Sequence, residues 1–368
     1  MKIAMIGHKQ FPSRSGGVEV VVNELSTRMS KLGHEVTVYN RYHVDKPEKN
    51  FQKEFKGVKI KRALTLSFSK FDAMLSSLTA TFSVIFGKYD VVHYHAEGPS
   101  AMIWLPKMFG IRVICTNHGL DWKRDKWGGI AKRYIKFGEK MSAKYADELI
   151  VLSTGIEKYF IENYGRKTQL ISNGVNQPKY KILQKAKWDF KLQKNEYILA
   201  LVRLVPEKGI HYLIEAFKKV ETKKKLVIAG SGTSNYEQYL REIASSDTRI
   251  IFTGFADFEM VRELYTSAYL YVLPSDVEGL PIGLLEAMSF GRCVLVSDIP
   301  ENISVINDFG RSFKKGSAIS LSKELSYLLS NPDLVKELGN KSKKYVLEKY
   351  NWEEIVNRTL SVYKGENM

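Results

Sequence analysis

Residues 268–298, AYLYVLPSDVEGLPIGLLEAMSFGRCVLVSD, contain a strand, a helix and a second strand in one continuous stretch. The apolar runs at 268–275 and 292–298 both end in polar residues, which is typical of strands buried in a parallel sheet. Between them, Pro281 suits the first turn of a helix and Gly291 suits its end, so a helix is predicted from about Pro281 to Phe290. This strand–helix–strand unit predicts an α/β fold.

Two carboxylates interrupt this apolar stretch. Glu278 lies in the loop that enters the helix, and Glu286 lies inside the helix. The N-terminus of a helix binds anions, and carboxylates nearby accept hydrogen bonds from hydroxyl groups. Phosphate together with hydroxyls suggests a sugar nucleotide. The alternative is one capping carboxylate and one solvated carboxylate on an amphipathic helix, and the spacing alone leaves both interpretations open.

The rest of the chain alternates strands and helices in the same way. In the first half, a helix is predicted over 16–33 and strands over 2–7, 34–40, 88–95, 112–118, 147–153 and 169–175. In the second half, a helix is predicted over 209–220 and further strands over 196–204, 224–232 and 249–255. Such alternation predicts two Rossmann-like, doubly wound parallel sheets with helices on both faces.

The predicted domains are an N-terminal acceptor-binding domain at 1–178 and a C-terminal nucleotide-sugar-binding domain at 190–345. The polar stretch 176–195 reads as the linker between the halves, and a final helix within 346–368 is predicted to return to the N-terminal domain. Two such domains would face each other across a cleft. Ligands of doubly wound sheets bind beyond the carboxyl ends of the strands, so the site is expected there.

The positive charge of the chain is concentrated in its first half. The net charge is +16 over 368 residues; residues 1–180 hold 29 Lys/Arg against 16 Asp/Glu, and the rest hold 27 against 24. This asymmetry suggests an anionic partner such as a membrane surface, a lipid pyrophosphate or nucleic acid, although solubility is an alternative explanation. The sequence has no helix-turn-helix, zinc or RNP-like motif, so no nucleic-acid partner is expected.

Cysteine usage and hydropathy favour the cytoplasm. Cys115 and Cys293 lie in separate halves in strand-like contexts and are predicted to be small buried hydrophobes. The chain opens directly into a strand and a glycine turn, with no signal-peptide pattern. The weakly charged run 71–86 is too short and too polar to span a bilayer.

On these motifs the chain resembles the retaining glycosyltransferases of family 4 (group 1), which have the two-domain GT-B fold, over essentially its whole length. Glu278 and Glu286, in the setting EGLPIGLLEAMSFG, match the E-x7-E motif of that family. The resemblance implies that Glu278 contacts hydroxyls of the donor sugar and that Glu286 binds the ribose of the nucleotide. Gly279 and Leu280, which follow Glu278, are assigned to the same donor site.

The segment RLVPEKG (203–209) resembles the R-x4-K-G segment of the family. Arg203 and Lys208 would then hold the diphosphate, where fixed cations stabilise the charge that builds on the leaving group. One departure is visible, because Val202 stands where the family usually has glycine.

Four further segments resemble family loops. The loop 7–19 implies that Gly16 and Gly17 let donor phosphate approach a helix N-terminus. The segment 117–122 implies that His118 lines the cleft near the sugar and acts in catalysis and acceptor binding, and that Asp121 helps to bind the acceptor. IAGSG (228–232) and FTGF (252–255) are expected to surround the base and the phosphate; ordinary strand-to-helix turns are the alternative. The donor-binding residues in these two segments would be Gly230, Gly232 and Phe255.

The resemblance implies transfer of a sugar with retention by front-face displacement, in which the departing phosphate oxygen takes the proton of the acceptor hydroxyl. No metal and no cofactor beyond the nucleotide-diphosphate sugar are expected, because Arg203, Lys208 and a helix N-terminus supply the positive charge. The segment HYHAEGPSAMIWLP (93–106) is similar to bacterial capsule and exopolysaccharide transferases, some of them rhamnosyltransferases. A lipid-linked glycan is the acceptor that this similarity implies.

The densest basic patch is 122–148, in which Lys132, Lys136, Lys140 and Lys144 recur every four residues. These lysines are predicted to share one face of a helix. The opposite, apolar side is predicted to pack on the sheet through Ile130, Tyr134, Phe137, Met141 and Tyr145. The lysine face is either solvated or rests on anionic lipid, which would make the protein cytoplasmic and peripheral on the inner face of the membrane.

Two other functions fit the fold. One is a non-catalytic sugar-nucleotide-binding subunit of a polysaccharide assembly complex, which would be expected to have lost Glu278, Lys208 or His118; all three are present. The other is a sugar-nucleotide epimerase of the GT-B fold, against which the two motifs E-x7-E and R-x4-K-G argue.

Overall fold

The computed structural model describes residues 1–14, 16–48, 50–67, 72–123, 128–232 and 234–366. The chain forms two compact units. Unit 1 contains Met1–Asn173 and Trp352–Met368, and unit 2 contains Gly174–Asn351. Unit 2 therefore extends beyond the predicted range 190–345 on both sides.

Unit 1 is built on an eight-stranded sheet with the strand order β3-β4-β2-β1-β5-β6-β7-β8. All neighbouring strands are parallel except β3 and β4, which are antiparallel. Its strands are β1 (Lys2–Ile6), β2 (Glu35–His43), β3 (Glu54–Phe55), β4 (Val58–Thr65), β5 (Val91–His95), β6 (Arg112–Asn117), β7 (Glu148–Val151) and β8 (Gln169–Leu170). The order of β1, β2 and β5 reverses at β1, as in a doubly wound sheet.

In its described residues, the first part of unit 1 contains five α-helices: α1 (Gly17–Lys31), α2 (Asp72–Ile85), α3 (Trp104–Met108), α4 (Gly129–Tyr145) and α5 (Thr154–Tyr164). Helices and sheet enclose an apolar cluster that includes Ile6, Tyr94 and Leu149, all three almost completely buried. The weakly charged run 71–86 coincides with α2, although residue 71 lies outside the described residues. Among the helices that the structure describes, none is long and apolar enough to cross a bilayer.

Unit 2 is built on a six-stranded, fully parallel sheet with the order β11-β10-β9-β12-β13-β14. Its strands are β9 (Tyr197–Leu201), β10 (Lys225–Ala229), β11 (Ile250–Gly254), β12 (Leu270–Leu273), β13 (Cys293–Ser297) and β14 (Arg311–Phe313). Its helices are α6 (Lys185–Phe190), α7 (Ile210–Lys218), α8 (Ser234–Ala244), α9 (Phe258–Ser267), α10 (Ile282–Ser289), α11 (Pro300–Ile306), α12 (Ala318–Ser330) and α13 (Pro332–Lys349). The prediction of two doubly wound parallel sheets is confirmed.

The stretch 268–298 forms β12, α10 and β13, and the two strands are parallel neighbours that pair Leu270 with Cys293. Every residue of both strands is buried. Pro281 is the N-cap of α10 and not its first helical residue. Gly291 follows the helix with φ +71°, a conformation that glycine adopts without strain, so the predicted end is confirmed. Cys115 and Cys293 are buried and unbridged, as predicted.

The polar stretch 176–195 is not a linker, because it is part of unit 2 and contains α6. Its basic residues pair with acids of α9: Lys181 Nζ lies 2.6 Å from Glu259 Oε2. The buried carboxylate of Glu263 accepts a hydrogen bond from the backbone N–H of Gln184 at 3.0 Å. Its polarity thus reflects pairing with a neighbouring helix.

The last helix is α14 (Trp352–Lys364), and it belongs to unit 1. The predicted division at 345 falls inside α13, which continues to Lys349 within unit 2. Helix α14 is anchored by Trp352, which is almost completely buried, and by an ion pair between Arg28 Nε of α1 and Glu353 Oε1 at 3.1 Å.

Candidate active site

Most of the donor-binding residues predicted in unit 2 follow four of its strands, at the same edge of the sheet. Arg203 and Lys208 follow β9, and Glu278 follows β12, its neighbour. The strand order of unit 2 reverses between β9 and β12, which is where doubly wound sheets bind ligands. Gly230 follows β10, and Phe255 follows β11.

Lys208 and Glu278 form an ion pair across this reversal point. Lys208 Nζ lies 2.5 Å from Glu278 Oε1, and the two side chains are 15% and 8% exposed. Gly209 brings the two loops together: it has φ +64°, and a Cβ there would lie 2.1 Å from the carbonyl oxygen of Pro274. Only glycine permits this backbone approach, so the contact between the loops is built into the chain.

Glu278 and Glu286 act on the same buried phenol, that of Tyr271 in β12. Burial, and then the negative charges of Glu278 and Glu286, raise the pKa of Tyr271. The Tyr271 hydroxyl donates to the carbonyl of Leu201 at 3.3 Å, at the end of β9. The fold therefore places both acids of the E-x7-E motif near Tyr271. Gly279 and Leu280, between them, are buried loop residues.

Arg203 is exposed at this edge, and no ion pair involves it among the described residues. Its backbone segment is fixed by the two glycines after β10. A Cβ on Gly230 would lie 1.9 Å from the carbonyl oxygen of Val202, and one on Gly232 would lie 1.8 Å from that of Leu204. The structure thus gives Gly230 and Gly232 a packing role beside Arg203; their contact with a donor stays a prediction.

Phe255 is 70% exposed, directly after Gly254 at the end of β11. The carbonyl of Gly254 accepts a hydrogen bond from the N–H of Gly230 at 2.8 Å. An exposed aromatic ring at the carboxyl edge of a sheet offers a face on which a nucleobase could stack.

The glycine pair of unit 1 lies at the start of α1, as the resemblance implies, but a carboxylate is already there. Gly16 is the N-cap of α1 and Gly17 its first residue. The carboxylate of Glu19 accepts a hydrogen bond from the N–H of Lys9 at 3.1 Å, and a Cβ on Gly16 would lie 2.5 Å from its other oxygen. A phosphate bound at this helix end would have to displace Glu19.

His118 and Asp121 lie in the loop after β6. His118 Nε2 is 3.2 Å from Nδ1 of His95, the last residue of β5. Asp121 begins a short 3-10 turn and is partly buried. Burial, and then the charges of Asp121 and Glu139, raise the pKa of Glu97 well above its usual value, which favours its protonated form.

Comparison with protein families gives a match for each half of the chain. The family described as Glycosyltransferase Family 4 matches residues 15–177, and the family described as Glycosyl transferases group 1 matches residues 184–345. This chain is a family 4 glycosyltransferase.

Known proteins resemble this glycosyltransferase over nearly its whole length. An uncharacterized glycosyltransferase of Methanocaldococcus jannaschii is 28% identical, with 99% of this chain and 98% of the relative covered. Sucrose-phosphate synthase from Thermosynechococcus elongatus has a TM-score of 0.83 and 20% identity, covering 99% and 98% of the two chains. HepE of Anabaena, solved in complex with UDP-glucose, has a TM-score of 0.80 and 15% identity, covering 98% and 100%. These structural likenesses show the GT-B fold.

Sequence reasoning missed the groups that support the His118 loop. Asn117 Nδ2 donates to Glu97 Oε1 at 3.0 Å, and Asn117 Oδ1 accepts from the N–H of Gly119 at 2.9 Å. Beyond the loop, the indole N–H of Trp122 donates to the buried Glu139 at 3.0 Å. The signal was the alternation in HYHAE (93–97), which places His93, His95 and Glu97 on or next to one face of β5.

The predicted orientation of α4 is confirmed for Met141 and Tyr145, which pack against the core, but it is wrong for Ile130 and Phe137. Its buried side consists of Ile135, Gly138, Glu139, Ser142 and Ala143. Ile130 and Phe137 are 77% and 47% exposed, on the same side of the helix as Arg133, Lys140 and Lys144. The buried side has few large apolar residues because Gly138 packs closely: a Cβ there would lie 1.9 Å from the carbonyl oxygen of Glu97. Residues 124–127 of the basic patch lie outside the described residues.

Proposed function

We propose that this glycosyltransferase moves a hexosyl or rhamnosyl group, with retention, from a nucleotide-diphosphate donor to a hydroxyl of a glycan acceptor. The ion pair between Lys208 and Glu278 at the reversal point of unit 2 carries this proposal. A nucleotide sugar presents an anionic diphosphate next to sugar hydroxyls. Lys208 complements the diphosphate, and Glu278 accepts hydrogen bonds from the hydroxyls.

In the proposed reaction, the acceptor oxygen bonds to the anomeric carbon on the face from which the phosphate departs. The bond between that carbon and the phosphate oxygen breaks, and the departing oxygen takes the proton of the acceptor hydroxyl. Negative charge grows on the diphosphate, so the cations Arg203 and Lys208 stabilise the transition state more than the ground state. We assign this role to the two side chains and to no metal ion.

Donor binding requires the ion pair to exchange partners. In the structure, Glu278 neutralises Lys208. When the diphosphate takes Lys208, the carboxylate of Glu278 becomes available to the sugar hydroxyls. HepE, which shares the fold, was crystallised with UDP-glucose, so UDP-sugars are the first donors to test.

We propose a lipid-linked glycan as acceptor and an anionic membrane surface, on the cytoplasmic side, as the place of reaction. The exposed side of α4 supports this, because it combines the apolar side chains of Ile130 and Phe137 with the cations of Arg133, Lys140 and Lys144. Apolar groups that enter the headgroup region and cations that pair with anionic lipids together favour interfacial binding. The product would be a bacterial surface polysaccharide.

A donor screen tests the function. The purified protein is incubated with UDP-, GDP- and dTDP-sugars, with and without EDTA and a lipid-linked acceptor extract, and release of nucleoside diphosphate is followed. We expect release from one donor, unaffected by EDTA and stimulated by the extract, and NMR of the product should show the anomeric configuration of the donor. Release that EDTA abolishes and a divalent cation restores would contradict the metal-free assignment. No release from any donor in the presence of the extract would contradict the proposed transfer from these donors.

A further inference from the structure

Three imidazoles and a phenol form a continuous chain inside unit 1. The hydroxyl of Tyr363, in α14, lies 2.6 Å from Nδ1 of His93. The ring of His93 packs against that of His95, with centroids 4.0 Å apart. His95 Nδ1 is in turn 3.2 Å from Nε2 of His118. This series of side chains connects α14, the C-terminal helix, to the loop that carries His118, a predicted site residue.

The alternation of β5 explains this arrangement. His93 and His95 are two residues apart, so their side chains lie on the same face of the sheet. Tyr94, between them, lies on the opposite face, where its hydroxyl is 2.7 Å from Thr81 Oγ1 of α2. The strand thus offers a matched buried hydroxyl that is not part of the chain of imidazoles.

The proton of His93 can be located from its two partners. Burial lowers the pKa of His93 to about 3, so the ring is neutral and has one N–H. Nδ1 faces the Tyr363 hydroxyl, and Nε2 faces the Thr116 hydroxyl at 2.7 Å. A phenol is a stronger donor than an aliphatic hydroxyl, so Tyr363 donates to Nδ1. The proton of His93 then lies on Nε2 and is donated to Thr116.

The same reasoning applies to His95. Burial, and then the neighbouring imidazoles, lower the pKa of His95 well below its usual value, so this ring is also neutral. Its Nε2 is buried and has no hydrogen-bond partner among the residues that the structure describes. Buried N–H groups without an acceptor are rarer than unsatisfied acceptors. The proton of His95 therefore lies on Nδ1 and is donated to His118.

We propose that His95 is a positioning residue that fixes His118 as a neutral imidazole with its proton on Nδ1. Because Nε2 of His118 accepts from His95, the proton of the neutral His118 ring must be on the other nitrogen. Tyr363 and His93 hold the ring of His95 in the orientation that makes this contact.

This inference rests on the proposed function and on the prediction from the sequence that His118 contacts the acceptor. A neutral His118 with its proton on Nδ1 acts there as a hydrogen-bond donor and not as a cationic acid. That suits a reaction in which the proton of the acceptor passes to the departing phosphate, because the histidine then orients the hydroxyl without taking its proton.

NMR of the imidazole nitrogens tests the tautomer without any substrate. Protein with 15N-labelled histidine is studied at pH 7.5, and His118 is assigned from the signals lost in His118→Gln. We expect a bare Nε2 and a protonated Nδ1 for His118. A protonated Nε2, or a charged ring, would overturn the proposal. The result stands whether or not the donor screen succeeds, so failure of the function and failure of this inference are distinguishable.

Variants test the role of His95. We expect His95→Leu to move the proton of His118 to Nε2 and to lower turnover of the donor found in the screen roughly tenfold, the effect of losing one hydrogen bond. The KM for that donor should not change. His95→Asn keeps an amide N–H near the position of Nδ1 and should restore most of the turnover.

Tyr94→Phe is the matched control, because it removes a buried hydroxyl from the same strand on the opposite face. It should leave both the tautomer and the turnover unchanged. The proposal is overturned if His95→Leu folds, as judged by its melting temperature, and keeps the wild-type tautomer. If His95→Leu does not fold, the wild-type spectrum and the turnover of His95→Asn test the proposal instead. A protonated Nε2 of His118 in the wild-type protein overturns the proposal.

Discussion

Lys208 and Glu278 neutralise each other across the reversal point of the unit 2 sheet, with Nζ and Oε1 2.5 Å apart. Both side chains are largely withdrawn from solvent, so neither charge is well compensated by water if the other is removed. A donor diphosphate must therefore compete with Glu278 for Lys208. This competition makes the two halves of the pair behave differently on mutation.

Glu278→Gln should lower turnover about 10²- to 10³-fold, while the affinity for the product nucleoside diphosphate is retained or rises. The reason is that Lys208 no longer has an internal anion. Isothermal titration with UDP, GDP and dTDP, together with steady-state kinetics, measures both effects. Glu259→Gln is the control, because it removes the anion of an exposed Lys–Glu pair in the same unit. Full activity of Glu278→Gln would remove this residue from the mechanism.

Lys208→Ala should lose turnover to a similar extent and should also lose affinity for the nucleoside diphosphate, because the diphosphate loses a cation and Glu278 remains as an unpaired anion. Lys181→Ala, at the exposed pair with Glu259, should change neither quantity. The same isothermal titrations measure this affinity. If Lys208→Ala binds the nucleoside diphosphate as tightly as the wild type does, Lys208 does not bind the diphosphate.

Gly230→Ala should destabilise unit 2 by about 3 kcal/mol or more, because the new methyl group overlaps the carbonyl of Val202 at a residue with φ +136°. It should also weaken donor binding by moving Arg203. Gly254→Ala is the control: its φ is +69°, but its Cβ would meet no atom within 4 Å, so about 1–2 kcal/mol is expected. Urea unfolding, monitored by circular dichroism, measures the free energy of unfolding of both variants. Equal destabilisation of the two variants would contradict the packing argument.

The stability of unit 1 should fall as pH falls below about 6.5. Burial lowers the pKa of His8 to about 4 and that of His93 to about 3. An unfolded histidine has a pKa of about 6.5, so between these values the unfolded chain binds protons that the folded chain does not. Each of the two imidazoles then costs about 1.4 kcal/mol per pH unit, until the pH reaches its folded pKa.

His8→Asn removes one of the two histidines that take up a proton only on unfolding. The free energy of unfolding of this variant should therefore fall less steeply between pH 7.5 and pH 5.5 than that of the wild type. Tryptophan fluorescence during urea unfolding reports mainly on unit 1, because four of the five tryptophans belong to it. His43→Asn, at a more accessible histidine of the same unit, is the control. An unchanged pH slope in His8→Asn would contradict the prediction.

Charge reversal on the exposed side of α4 should release the protein from anionic vesicles. Each lysine near an anionic surface contributes about 1 kcal/mol, so Lys140→Glu with Lys144→Glu should weaken partitioning at least tenfold. Sedimentation with vesicles of phosphatidylglycerol and phosphatidylcholine measures it. Lys336→Glu with Lys344→Glu, at exposed lysines of α13, makes the same change of net charge elsewhere. Equal partitioning of the two double variants would argue against the α4 surface.

Much of the fold and of the donor site could be predicted from the sequence, because both depend on local patterns. The apolar runs around Leu270 and Leu295 identify β12 and β13, and the loop before α10 necessarily puts Glu278 at the carboxyl edge of a parallel sheet. The spacing of Arg203 and Lys208 after β9 places them at the same edge. These features follow from turn residues and periodicity, which act over a few positions of the chain.

The sequence by itself determined the two doubly wound sheets, the family and the loops that contain the predicted donor residues. Only the tertiary structure decided which groups meet: His118 with His95, Gly230 with the carbonyl of Val202, and α14 with unit 1. It also decided that Phe137 of α4 is exposed, because the helix turns its small residues toward Glu97. Such contacts join residues far apart in the chain, and they depend on strand order and close packing, which local patterns do not encode.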